Sequence, residues 1–158
     1  MDKITTCLWF DRSAEEAARF YVALFPDSQI TEIIRSPGDY PNGKAGDVLL
    51  VLFNLAGHSY SALNGGPNFR FTEAISMSID CADQPEVDRY WQALSAHPEN
   101  EQCGWVKDKF GLSWQIVPRA LPRLLSHPDP ATRKRVFQAM MKMKKLDISA
   151  LERAAAQT

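Results

Sequence analysis

The sequence predicts an α+β protein built from two strand–helix–three-strand (βαβββ) modules and a C-terminal helical tail. Three observations carry this. Residues around Ser13–Leu24 recur around Asp83–Leu94 at an offset of 70. A run of β-forming residues precedes each copy, and turn residues divide the chain after each copy into short apolar runs. After Pro118 the strand-like runs stop and helix-starting signals take over.

The first strand spans Ile4 to Phe10. Ser13 then offers a hydroxyl to cap a helix, with Glu16 three residues on, where a capping-box carboxylate reaches back. Apolar residues at 17, 20, 21 and 24 form one helical face. Strands come next at about Gln29–Arg35, Val48–Leu55 and Ser59–Leu63, with a turn-rich loop over Ser36–Gly43. Asn64-Gly65-Gly66-Pro67 is the joint. The second copy repeats the order: strand Ala74–Cys81, cap Asp83 with Glu86, and apolar positions 87, 90, 91 and 94. Strands at about Glu101–Val106 and Leu112–Val117 flank a turn at Asp108–Gly111, so one strand of this shorter half is brief or weakly signalled. The modules are expected at 1–67 and 68–118, with the tail at 119–158, within one structural domain. In the tail, Leu121–Leu125 forms a helical turn, Asp129-Pro130 starts a helix running to Lys145, and Ser149 with Glu152 caps a last one.

Bulk properties narrow the function classes. A chain of 158 residues buries a real core without staples. A formal charge of -1 gives no global field for nucleic acid or an anionic membrane. The three cysteines, Cys7, Cys81 and Cys103, are too few and odd in number for a disulfide framework. No apolar run approaches the roughly 18 residues of a membrane span, and the N-terminus lacks a basic-then-apolar signal. The expectation is a cytoplasmic protein with neither membrane nor nucleic-acid partner.

Several motifs carry a resemblance. Cys7-Leu8-Trp9-Phe10-Asp11, Ala14-Glu15-Glu16-Ala17, Ala62-Leu63-Asn64-Gly65-Gly66-Pro67 and Cys103-Gly104-Trp105-Val106-Lys107-Asp108 are four of them. Phe110-Gly111-Leu112-Ser113-Trp114-Gln115-Ile116-Val117-Pro118 and Met141-Lys142-Met143-Lys144-Lys145-Leu146-Asp147-Ile148 are the most specific. The chain resembles the PhnB-like branch of the vicinal-oxygen-chelate superfamily (glyoxalase, bleomycin resistance, dihydroxybiphenyl dioxygenase), a branch often labelled 3-demethylubiquinone-9 3-methyltransferase. The resemblance implies strands forming a curved mixed sheet around a cavity. It also implies a homodimer.

Metal-dependent members of the superfamily hold a divalent ion on the concave sheet face, where it acts as a Lewis acid. By resemblance the ligand positions fall near Thr5, near Ala74, at Ser61 or Ala62, and at Gln115. One amide does not hold a metal against water, so no metal and no cofactor are expected. His58 reads as a solvated turn residue. His97 reads as a partner of a helix end, and His127 belongs to the tail. No His or Cys spacing of a known metal motif occurs.

Strand alternation gives the candidate cavity lining. Thr5, Cys7 and Trp9 share one face of the first strand, with Leu8 and Phe10 turned to the helices. Ser76 and Ser78 share a face with Ala74, against Ile75, Met77 and Ile79. Ser113 and Gln115 oppose Leu112, Trp114 and Ile116. Trp105 and Lys107 alternate together and could hold a planar or anionic ligand, or be a packing tryptophan beside an exposed lysine. Ser61 and Asn64 complete the set. Trp9 equally reads as a core aromatic, and Cys7 as an inert thiol.

The function expected is binding of an unidentified small molecule, with catalysis left open. A metal-dependent lyase, isomerase or dioxygenase is the alternative. The methyltransferase of the branch label would need a glycine-rich loop leading into a helix, and Gly65-Gly66 stands at a joint without one. Arg133, Lys134, Arg135, Lys142, Lys144 and Lys145 also permit an interaction surface, although a helix docked on the body accounts for them too.

Overall fold

The computed structural model describes residues 2–157. It is a mixed α+β fold with one sheet of four strands and one of three. The chain divides between Phe71 and Thr72 into two compact units.

The first unit runs β1 (Thr6–Phe10), α1 (Ala14–Leu24), β2 (Gln29–Arg35), β3 (Val48–Leu55), β4 (His58–Asn64). The sheet order is β1-β4-β3-β2, with β1 parallel to β4 and the other pairs antiparallel. Alternation puts Leu8 and Phe10 in the core with Val51, Phe53 and Ala62. Ala14, Ala17, Ala18 and Tyr21 of α1 close over them. Small residues at three of these four positions let the helix lie close on the sheet.

The start of α1 differs from expectation. Ser13 makes no side-chain cap bond. The cap comes from the end of β4, where Asn64 Oδ1 accepts from Ala14 N–H at 2.9 Å while its Nδ2 donates to Val48 O at 2.9 Å. One buried amide thus joins α1, β3 and β4. Asn64→Ala leaves a helix-end donor and a strand carbonyl unpaired, and should lower stability by about 1–3 kcal/mol in urea melts. Asn64→Asp, which keeps the acceptor only, should fall between.

The second unit runs β5 (Ser76–Cys81), α2 (Gln84–Leu94), β6 (Trp105–Lys107), β7 (Ser113–Pro118). The order is β5-β7-β6, with β5 parallel and β6 antiparallel to β7. Here the helix is capped by Asp83, and the return bond of Glu86 falls one residue before the cap. Asp83 accepts from Glu86 N–H at 3.0 Å, and Glu86 reaches back to Ala82 N–H at 2.6 Å.

Two strands differ from expectation. The strand expected over Glu101–Val106 forms only at its end, as Trp105–Lys107: before it the connection makes a 3-10 turn at Pro98–Asn100 and a single bridge, Gln102 to Trp105. Residues 95–104 are too few for a strand, its turn and a return, so this sheet has three strands. Nor does β5 begin at Ala74. Ala74 lies in a turn, and Ile75 is 69% exposed instead of packing under the helix.

The tail forms α3 (Ala120–Leu125), α4 (Pro130–Met140) and α5 (Ile148–Ala156) around Leu121, Leu124, Val136, Leu146 and Leu151. The helix expected to reach Lys145 stops at Met140. The Cys103 and Gly104 N–H groups donate to Met143 O and Lys144 O, at 2.9 and 2.7 Å, and hold those carbonyls out of a helix. The last helix is capped by Asp147, which accepts from Ala150 N–H at 2.9 Å, and Ser149 sits inside its first turn. Of the basic residues, Arg133 binds His127 O and Arg135 the end of α5. Lys144 binds Pro98 O, and Lys145 pairs with Asp88. Much of this charge therefore ties the tail to its own unit. No helix among the described residues is long and apolar enough to cross a membrane.

Candidate ligand-binding face

The central strand of the second sheet, β7, organises a polar surface. Its register sets Ser78 beside Gln115 and Gln115 beside Trp105. The next row is Ser76, Ser113, Lys107. Side chains alternate along strands, so these six residues share one face. Ile79, Val106, Trp114 and Ile116 occupy the other face and are buried. Gln115 Nε2 donates to Ser76 Oγ at 2.9 Å, which fixes the amide. Among the described residues nothing pairs with its Oε1. Lys107 Nζ lies 2.5 Å from Glu73 Oε1. The hydrogen bond from Lys107, a backbone hydrogen bond and the lysine's charge hold the Glu73 carboxyl below the usual range. The face thus carries hydroxyls, an oriented amide, an indole and a neutralised ammonium.

Asp108 holds this strand in place from behind. Its carboxylate is fully buried and accepts from Phe110 N–H at 2.8 Å and Leu112 N–H at 3.1 Å on Oδ1, and from Trp114 Nε1–H at 2.8 Å on Oδ2. The turn and the buried side of β7 are pinned together. Sequence reading treated Asp108 as a turn residue only. The available signal was an aspartate two residues before one N–H and four before another, next to a buried indole that needs an acceptor.

In the first unit Cys7 and Ser61 are register neighbours on β1 and β4. Trp9 shares their face, but it is held: Nε1 donates to Gly66 O at 2.8 Å, and its ring meets Phe69 edge-on at 5.0 Å between centroids. A Cβ on Gly65 would stand 2.3 Å from the indole, so only glycine admits this packing. Asn64 belongs to the opposite face, as its bonds to Ala14 and Val48 require. Thr5 precedes β1 and is exposed. No helix follows Gly65-Gly66, which remains a joint.

Sequence reasoning missed a cleft of about 680 Å³ in this unit. Arg12, Glu15, Tyr40, Asn42, Lys44 and Asn64 are among its lining residues. It lies along the loop after β2, which had been read only as a run of turns.

The donors do not fit a divalent ion. Of the positions that resemblance implies, Thr5 and Ala74 lie outside the strands, and Ser61, Ala62 and Gln115 supply no charge. Among the described residues no group of three or more His, Cys, Asp or Glu could hold a metal. His58 is exposed, His97 Nδ1 lies 3.4 Å from Glu99, and His127 Nδ1 accepts from Asp129 N–H.

The thiols differ sharply. Cys81 is buried, and its thiol is pushed up to about 12, first by burial and then by the Glu86 and Asp80 carboxylates. Cys7 is exposed. Iodoacetamide near neutral pH should therefore modify Cys7 in the native protein and reach Cys81 only after unfolding, read by peptide mass spectrometry. Native labelling of Cys81 would contradict its burial.

A family model described as 3-demethylubiquinone-9 3-methyltransferase matches residues 2–117. A PhnB protein from Bacillus cereus is 35% identical, with a TM-score of 0.63; the match covers 74% of this chain and 99% of that one. Protein PA1353 from Pseudomonas aeruginosa is 19% identical with a TM-score of 0.56, over 75% of this chain and 98% of that one, a likeness of fold alone. No curated protein matches the chain. The family match ends at Val117, so the helical tail lies beyond it.

Proposed function

The chain belongs to the family described as 3-demethylubiquinone-9 3-methyltransferase and is a PhnB-like member of the vicinal-oxygen-chelate superfamily; from that premise we propose that it binds a small polar organic molecule on the Ser78–Gln115–Trp105 face. The observation that carries this reading is the alignment of an oriented amide between a hydroxyl and an indole in one register row. An amide fixed through Nε2 leaves Oε1 to accept from a ligand, and an indole beside it offers a stacking surface. The Lys107–Glu73 pair next to them favours ligands bearing a carboxylate able to compete for the ammonium. Binding and orientation are what these groups supply.

A thermal-shift screen of small aromatic and aliphatic carboxylates tests this. A ligand at a hundred times its Kd should stabilise the protein by about 2.7 kcal/mol. Trp105→Ala and Gln115→Ala should each weaken binding by about tenfold or more. A screen without hits, or hits that both variants bind as tightly as the wild type, would sink the proposal.

A further inference from the structure

The second unit brings together two sulfurs that the ligand-binding reading does not use. Cys103 Sγ lies 3.8 Å from Met141 Sδ, across 38 residues of sequence. We propose that Cys103 and Met141 form a binding site for a soft monovalent metal ion, copper(I) or silver(I).

Four observations carry it. The first is distance. Two metal–sulfur bonds of about 2.3 Å opening at about 120° put their sulfurs about 4 Å apart, close to the separation found. The second is rigidity. Cys103 N–H donates to Met143 O at 2.9 Å, Gly104 N–H to Lys144 O at 2.7 Å, and Gln102 Nε2 to Met141 O at 2.9 Å. Both sulfur-bearing backbones are thereby held on one another before any ion arrives. The third is access: Met141 is 47% exposed although it is a large apolar residue, and Cys103 is half-buried. The fourth is backbone conformation. Cys103 has φ +50, a region where a side chain is disfavoured and glycine or asparagine is the ordinary occupant.

Donor chemistry selects the ion. A thiolate and a thioether are soft ligands that favour copper(I). Among the described residues no group of three or more His, Cys, Asp or Glu could hold a metal, so zinc, which takes four ligands, is not served at this pair of one thiolate and one neutral thioether. Binding releases the thiol proton to solvent, and the thiolate with a monovalent cation makes a neutral site beside the exposed Lys142. The remaining coordination position is left for water or a small thiol. Cys7, exposed on β1, has no such thioether beside it among the described residues and serves as the comparison.

The test is anaerobic titration with copper(I) delivered as its bicinchoninate complex, following loss of the chelator's colour. Full-length protein carrying Cys7→Ser is the reference, and Cys103→Ser and Met141→Leu are added to it separately. The reference should withdraw one equivalent of copper(I). Cys103→Ser should abolish the transfer, and Met141→Leu should weaken it by about tenfold or more. Both positions are partly or largely exposed, and thermal melting checks that the variants fold. No transfer to the reference protein, or a Met141→Leu protein that binds as tightly as the reference, would overturn the proposal.

Discussion

Asp108→Ala should destabilise the protein by about 3–5 kcal/mol, because two buried donors and one partly buried donor lose their acceptor. Leu112 and Trp114 are each 2% exposed, so water does not replace the carboxylate for them. The indole is the worst placed of the three, because its Nε1–H points into the packed side of the sheet. Asp108→Asn keeps one carbonyl oxygen and should cost roughly half as much, since the new amide hydrogens face donors. Urea denaturation of the two variants beside the wild type measures both. The effect should reach the ligand face, because Ser113 and Gln115 ride on the strand whose start the carboxylate fixes. An alanine variant within about 0.5 kcal/mol of the wild type would show that the turn holds without its aspartate.

Gly104→Ala should be nearly as damaging, at about 2–4 kcal/mol, through two separate effects. The residue has φ +86, where a Cβ is strained in any surroundings. The added carbon would also stand 2.9 Å from Leu146 Cδ1 and 3.0 Å from Ile116 O. The leucine end has some freedom to move. The carbonyl does not, because it belongs to the central strand, and Ile116 N–H donates to Gly104 O at 2.8 Å. Leu146 is fully buried in the tail's core, so pressure at Gly104 is transmitted to the seat of α3, α4 and α5. Limited proteolysis should show earlier cleavage within 119–157 in this variant, together with a lower melting temperature. Unchanged proteolysis beside a lowered melting temperature would mean that the strain stays within the sheet.

These residues show where the sequence was legible. The offset-70 repeat located both strand–helix units because it rests on local rules: a cap, a helical stripe and a β-forming run before it. Asp83 obeys those rules in full. Ser13 does not: it makes no cap bond, and the first N–H of the helix, that of Ala14, goes instead to Asn64, a side chain 50 residues away that no local pattern announces. The late start of β6 and the early end of α4 meet at one place. The backbone of 103–104 bonds to 143–144, a pairing between segments that each look locally like something else. For the face itself, alternation grouped Ser76, Ser78, Trp105, Lys107, Ser113 and Gln115 by strand. The rows in which they stand depend on register, which single strands do not reveal. The Glu73 partner of Lys107 and the Met141 neighbour of Cys103 were out of reach for the same reason.

The central claim is that the ligand sits on the second sheet over Gln115. A two-dimensional NMR titration of isotope-labelled protein with the best-stabilising carboxylate tests it directly. The Gln115 side-chain amide, the Trp105 indole N–H and the backbone amides of Ser76 and Ser78 should shift together and saturate at one Kd. Shifts confined to the cleft of Arg12, Asn42 and Lys44, with these four groups unmoved, would contradict it.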